Sequence, residues 1–128
     1  MSAFRNEIHV AEYEYDYSVD GGATGVYVLS SKDNKASLPL GAVVKEVQVI
    51  GQTALAGSGA SAKIGHASND ALYKAQVTAT LYNASACFSY STPFQAKGNN
   101  RDVRMTVAGA ALTAGKLKVL VEYILPNE

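Results

Sequence analysis

An all-β fold is predicted for this chain of 128 residues. Several short segments alternate apolar and polar residues with a period of two, which is typical of strands that bury one face. Turn-forming residues separate these segments at intervals of roughly 8 to 12 residues, as in antiparallel sandwiches and barrels. With about seven or eight strands and no change of composition along the chain, we expect a single domain over residues 1–128 with at most one short helical turn.

The clearest strand pattern lies in residues 101–125. Two alternating segments flank a connection of small residues, in which Gly109 and Gly115 can adopt positive φ, so a looped hairpin is predicted. Its inward positions are apolar: Val103, Met105, Val107, Leu117, Val119, Val121 and Tyr123. The outward face of the second arm carries Leu120 and Ile124 beside its lysines, and this mixed face is a candidate contact surface.

The first predicted strand alternates tyrosines with acidic residues. Tyr13, Tyr15 and Tyr17 share one face, and a turn at residues 20–22 follows. Residues 24–29 are β-branched and aromatic, and they are predicted to pair back across this turn as a hairpin. The tyrosine row has two interpretations, packing within the sheet or contact with another subunit, because tyrosine is apolar in body and hydrogen-bonds at its tip.

The middle of the chain predicts one central strand and one ambiguous segment. Residues 42–53 carry apolar side chains on both faces, so this strand is expected in the centre of a sheet. Its apolar residues are assigned to two faces, with Val43, Val47 and Val49 on one and Val44 and Ile50 on the other. Residues 69–81 begin with the cap-forming Asn69 and Asp70 and end in an alternating stretch, which predicts a helical turn passing into extended chain.

The charge pattern excludes one class of function and links the two ends of the chain. Eleven basic and eleven acidic residues give a formal net charge of zero. This balance argues against a general nucleic-acid binder, which needs an excess of Lys and Arg to neutralise phosphates. The first twenty residues are acidic and the last predicted hairpin is basic. These ends are predicted to meet either as neighbouring strands with cross-strand charge pairs or between subunits.

No catalytic, cofactor or metal site can be assembled from these residues. The glycine-rich residues 57–62 lack the helix start and the acidic residue that dinucleotide binding requires, so a loop is predicted. Two histidines and one cysteine give no zinc spacing, and Cys87 is expected to be a buried, inert thiol among small apolar neighbours. Asp16 and Asp20 flank a turn, which favours turn formation over a calcium site. We therefore expect no cofactor and no enzymatic activity.

Compartment and membrane signals are few. A single cysteine and the absence of a secretory pattern at the N-terminus predict synthesis in a reducing cytoplasm. No apolar run approaches the roughly 18 to 20 residues needed to span a bilayer. A membrane is therefore not expected as a partner, and the balanced charge already argues against a nucleic acid.

Several stretches of turn and strand residues together resemble one class of protein. They are YDYSVDGGA (15–23), LPLGAVV (38–44), RDV (101–103) with Thr106, and LTAGK (112–116) before VEY (121–123). In this order they resemble small structural proteins of tailed bacteriophages, namely capsid decoration, or cement, proteins. The resemblance implies a jelly-roll β-sandwich, a homotrimer, the major capsid protein as partner, and a location on the capsid surface after synthesis in the bacterial host cytoplasm.

The leading hypothesis is therefore a non-enzymatic virion protein that binds the head shell as a trimer and stabilises it. The candidate contact residues are Tyr13, Tyr15, Arg104, Lys118, Leu120 and Ile124. Two alternatives stay open. One is a tail, neck or fibre-attachment protein of the phage, and the other is a carbohydrate-binding β-sandwich module, against which the absence of tryptophan counts.

Overall fold

Two antiparallel sheets packed face to face form the protein in a computed structural model, which describes residues 8–31, 38–97 and 100–125. Within these ranges the chain forms ten strands, a four-residue helical turn (α1, Tyr17–Asp20) and a 3-10 turn (Ala79–Leu81). The strands are His9–Asp16 (β1), Gly25–Val28 (β2), Ser30–Ser31 (β3), Val43–Ala56 (β4), Ser61–His66 (β5), Asn69–Thr78 (β6), Cys87–Tyr90 (β7), Phe94–Gln95 (β8), Arg104–Ala108 (β9) and Ala114–Ile124 (β10). The predicted all-β sandwich is confirmed.

The strand order is that of a jelly roll. A six-stranded sheet has the order β3-β1-β10-β4-β7, with β8 also paired to β4, and a four-stranded sheet has the order β2-β9-β5-β6. When the two-residue strands β3 and β8 are set aside, the other strands pair from the chain ends inward: β1 with β10, β2 with β9, β4 with β7, and β5 with β6. A long antiparallel hairpin rolled into two sheets gives this pairing. The jelly-roll expectation is therefore confirmed.

The core lies between the sheets and is built from the inward positions of both. In the last two strands these positions are Met105, Val107, Leu117, Val119 and Val121, all buried, as their alternation predicts. An aromatic cluster adds to the core where Tyr73 makes ring contacts with His66, Tyr90 and Phe94. Tyr82 is also buried, and its hydroxyl donates to the carbonyl of Ala62 at 3.0 Å.

The predicted hairpin over residues 101–125 is wrong. β9 pairs with β2 and β5 in the four-stranded sheet, whereas β10 pairs with β1 and β4 in the six-stranded sheet. Residues 109–113 cross between the sheets, and there the N–H of the buried Leu112 donates to the carbonyl of Gly22 at 2.7 Å. Both strands bury one face in the same core, so their side chains alternate with period two in either arrangement. The alternation therefore cannot distinguish a hairpin from two strands that lie in opposite sheets.

The predicted hairpin between the first strand and residues 24–29 is also wrong, because β2 pairs with β9 and the short β3 pairs with β1. The helical turn α1 redirects the chain to the opposite sheet. The Asp16 carboxylate caps this turn by accepting the N–H of Ser18 at 3.0 Å, and the Asp20 carboxylate accepts the N–H of Asp16 at 3.0 Å. Both aspartates therefore form the turn, as predicted.

β4 is a central strand, as predicted, because β10 and β7 flank it. Its register against β10 shifts at Lys45. Such a bulge inverts the alternation on one side of the extra residue. Val44 is therefore buried together with Val47 and Val49, and the sequence assignment of Val43 to that face and Val44 to the other is wrong.

Residues 69–81 contain extended chain and a helical turn in the reverse of the predicted order. β6 begins at Asn69, and the 3-10 turn follows it. Asp70 does not cap a helix, since its carboxylate lies 3.1 Å from the ammonium group of Lys63 on the neighbouring β5. Pairing with β5 and burial of Tyr73 outweigh the local helical preference, as tertiary context commonly does.

Candidate assembly surface

The complementary charges of the two chain ends meet inside one subunit. β1 and β10 are antiparallel neighbours, with Glu14 opposite Lys118 and Asp16 opposite Lys116. The ammonium group of Lys118 lies 3.3 Å from the carboxylate of Glu12, and that of Lys116 lies 3.7 Å from the carboxylate of Glu14. The interpretation of the charge pattern as cross-strand pairs within one sheet is confirmed, so these charges do not argue for a contact between subunits.

Charge reversal at Lys118 is expected to weaken the fold rather than dissociate an assembly. Lys118→Glu places a carboxylate beside Glu12 and Glu14, and like charges on adjacent strands repel. We expect the free energy of unfolding, measured by urea denaturation, to fall by about 1–2 kcal/mol. Reversal of the exposed Lys97 is the control and should change it by less than about 0.5 kcal/mol. A Lys118→Glu protein that unfolds like the unmodified protein but forms a smaller oligomer in solution would contradict this prediction.

Tyr13 and Tyr15 lie in the core, where their side chains are 1% and 0% exposed. Burial, with smaller contributions from nearby groups, raises the pKa of Tyr13 to about 12. The hydroxyl of Tyr15 donates to the carbonyl of Gly21. The third member of the row, Tyr17, belongs to α1 and is 37% exposed. Tyr13 and Tyr15 therefore pack within the subunit, and neither presents its side chain to a partner, whereas Tyr17 does not continue the buried row.

The other four candidate contact residues lie on two different faces. Lys118, Leu120 and Ile124 alternate with the buried residues of β10 and lie on the outer face of the six-stranded sheet. Arg104 lies on the outer face of the four-stranded sheet, where its Nε donates to the carboxylate of Asp102 at 2.7 Å. The structure therefore does not bring the six predicted residues together into one patch.

Exposed apolar side chains mark surfaces that sequence reasoning missed. In β2, Val26 and Val28 are 55% and 50% exposed, while Val10 of β1 is 57% and Val19 of α1 is 79% exposed. Alternation does not reveal them, because a valine in a short strand favours a buried position on either face. A usable signal is the absence of charge in residues 23–29, since edge strands are commonly protected by charged side chains.

The described residues contain no group of three or more His, Cys, Asp or Glu side chains placed to hold a metal ion. Cys87 is exposed, so the prediction of a buried thiol is wrong. Its position opposite Ile50, on the face away from the core, explains the exposure. In the part of the chain that the structure describes, no helix is long and apolar enough to cross a membrane.

His66 is a polar side chain buried in the core, with 5% exposure. Its Nδ1 accepts the backbone N–H groups of Ser68 and Asn69, both at 3.2 Å, and thereby holds the turn between β5 and β6. Its ring packs edge-on against Tyr73. Burial lowers the pKa of His66, and the carboxylate of Asp102 partly opposes this effect.

Acidification is expected to destabilise the protein through His66. Burial holds the pKa of His66 below its ordinary value of 6.5. The contribution of the neutral imidazole to folding stability is therefore complete above pH 6.5, and it is lost as the pH falls below 6.5. Protonation of Nδ1 also removes the acceptor of both turn hydrogen bonds. Urea unfolding from about pH 7.5 to about pH 5, with an NMR titration of the imidazole, measures this loss. Titration of His66 in the folded protein at or above 6.5 would contradict it.

The fold is shared with chains from two bacteriophage capsid structures. A chain of the cyanophage Pam1 capsid asymmetric unit aligns with a TM-score of 0.68 and 22% identity, over 96% of this chain and 88% of that one. A chain of the acid-stable capsid of Helicobacter pylori bacteriophage KHP30 aligns with a TM-score of 0.67 and 20% identity, over 95% and 90% of the two chains. No protein-family model matches the sequence, and the search of curated proteins found no match. At these identities, the likeness establishes the fold.

Proposed function

We propose that this chain is a non-enzymatic bacteriophage virion protein that binds the head shell as a trimer and stabilises it, in the manner of a capsid decoration protein. The supporting observation is the jelly roll that it shares, over nearly its whole length, with chains of two phage capsids. Jelly rolls also occur in lectins and other proteins, so the fold is compatible with several functions. The source of these two neighbours favours the capsid.

The size of the matched chains supports an accessory role. This chain covers 88% and 90% of the two neighbours, so the likeness is between whole small proteins rather than with one domain of a large protein. A standard interface buries about 800 Å² per partner. Two such patches for a trimer and one for the shell would use about a third of the 6591 Å² of accessible surface. The surface is therefore large enough for the two contacts with other copies and the one contact with a shell that the proposal requires.

A trimer turns weak single contacts into firm attachment, because the second and third contacts form at a high effective concentration. The outer face of the six-stranded sheet supplies one candidate contact surface, with Leu120 and Ile124 beside Lys118. Since Lys118 is already paired with Glu12, the apolar side chains would contribute most of the contact energy. Attachment across boundaries between capsomers would tie neighbouring shell subunits together.

The partners in this proposal are further copies of the chain and the major capsid protein, and the location is the outer surface of the virion. Neither a nucleic acid nor a membrane has a part in it, and it requires no cofactor.

Binding to shells assembled without this protein tests the proposal. Shells of the phage that encodes the chain are mixed with the purified protein and sedimented, and their resistance to heat is measured with and without it. Sedimentation velocity of the free protein should give the mass of a trimer, and particle images should show added density on the head. A monomer that does not bind shells would overturn the proposal, and density on the tail or neck would replace it with that alternative.

A further inference from the structure

The edge strand β2 is an unguarded site for strand pairing. It lies at the end of the four-stranded sheet, and no strand of the described chain pairs with its free side. Natural edge strands are usually protected by charged side chains, proline, bulges or a covering segment. The strand GVYV has no charge and no proline, and Val26 and Val28 are half exposed.

The ladder with β9 fixes which backbone groups point outward. The N–H of Leu29 donates to the carbonyl of Val103 at 2.8 Å, so this pair is of the hydrogen-bonded type. Hydrogen-bonded and non-hydrogen-bonded pairs alternate along an antiparallel ladder. Tyr27 therefore bonds to β9, while the N–H and C=O groups of Val26 and Val28 point away from the sheet. These four groups match the spacing of an added strand.

The edge is also held rigidly, which lowers the entropy cost of binding. The ring of Tyr27 packs edge-on against the buried Tyr15, with ring centroids 5.5 Å apart, and its hydroxyl donates to the carbonyl of Ala23. Leu29, directly after the strand, is 2% exposed. The outward groups are therefore presented in an extended conformation before any partner arrives.

We propose that β2 binds an extended segment of the shell protein, which pairs its backbone with Val26 and Val28 and adds a strand to the four-stranded sheet. This inference rests on the proposed function and deepens it. The side chains that flank the pairing would be apolar or β-branched, because they lie beside two exposed valines.

Area favours the shell over a second copy as the source of this segment. A four-residue strand is about 13 Å long, so pairing with another β2 would bury only a few hundred Å², well below the roughly 1,200 Å² of a stable interface. Such pairing would also close as a two-fold dimer rather than a trimer. A segment of the shell protein would bury an equally small area at β2. The other contacts between the protein and the particle would add to this pairing, so it need not be stable alone.

Proline substitution tests the pairing. Val26→Pro removes an outward N–H and leaves the ladder with β9 intact, because proline is tolerated where the lost N–H faces solvent. We expect its binding to shells to weaken by about tenfold or more, as loss of a hydrogen bond and a steric clash of the ring predict. Val28→Lys, which adds a guard charge, should weaken binding similarly if the proline variant does not fold. Val19→Lys, at a valine outside β2 that is more exposed than Val26 and Val28, is the control and should bind normally.

Hydrogen exchange of the backbone amides of Val26 and Val28 supplies a second readout, and these amides should exchange more slowly on the shell than in the free protein, whereas the Tyr27 amide is already bonded to β9. Normal shell binding by both β2 variants, with unchanged exchange, would overturn strand addition while leaving the decoration role intact. Protection of these amides in a dimer of the free protein would overturn the assignment to the shell. Failure of the unmodified protein to bind any shell would instead overturn the proposed function.

Discussion

Tyr15→Ala is expected to lower the free energy of unfolding by about 3–5 kcal/mol, the range found when a large buried aromatic side chain is truncated. Tyr15 is fully buried, packs against Tyr27 and donates its hydroxyl to Gly21. Its removal would leave a cavity beside β2 and free the turn after β1. Since the free energy of unfolding of a small domain is about 5–15 kcal/mol, this loss would remove much of the stability.

Two further variants separate the loss of the hydroxyl hydrogen bond from the loss of the buried ring. The free energy of unfolding of all three variants is measured by urea denaturation at one pH. Tyr15→Phe keeps the ring and leaves the Gly21 carbonyl without its donor, and it should cost about 1 kcal/mol. Tyr17→Ala truncates the partly exposed member of the same row and should cost less than about 1 kcal/mol. A Tyr15→Ala protein of normal stability that had lost only its ability to self-associate would contradict the buried position and support the row as a subunit contact.

Most strands and their buried faces could be predicted from the sequence, because alternation with period two reflects burial of one face. It could not assign strands to sheets, because the residues of β9 and β10 bury one face in the same core whether the strands pair or lie opposite each other. The shift at Lys45 could not be predicted either, since a bulge depends on the partner strand and not on the local pattern. The charges of Glu12 and Lys118 did contain topological information, as they pair across the first and last strands.

The candidate surface was harder to predict than the fold. Tyr13 and Tyr15 have the composition of interface residues, yet the same properties suit a core, and only the fold distinguishes the two. Val26 and Val28 have the composition of core residues, and they are exposed because they lie on the outer face of β2, the strand that ends its sheet. Position within the sheet, which no local pattern encodes, therefore decides which apolar side chains can meet a partner.

Gly65→Ala is expected to destabilise the protein by about 3 kcal/mol or more, at the upper end of the range for overpacked sites. Gly65 lies near the end of β5, where the innermost pair of the roll, β5 and β6, turns back on itself. A Cβ atom there would lie 2.2 Å from the carbonyl oxygen of Asn69, 2.5 Å from the carbonyl carbon of Asp70 and 2.9 Å from the nitrogen of Ala71. All three are backbone atoms of the first residues of β6, so no side-chain rotation relieves the clash, and the start of β6 must move together with the turn before it.

Gly59→Ala is the control, since its added Cβ would have no neighbour closer than 3.9 Å and its cost comes from the positive φ of 81°, about 1–2 kcal/mol. The two variants are compared by circular dichroism and urea denaturation, and a Gly65→Ala chain that fails to fold supports the prediction. The turn also contacts β9, because the Asp102 carboxylate accepts the N–H of Ala67 at 3.0 Å. Displacement of the turn would therefore loosen β9, the strand that holds β2 in place. Equal stability of the two variants would contradict the prediction, because it would show that the backbone between β5 and β6 can move at little cost to make room for a Cβ atom at Gly65.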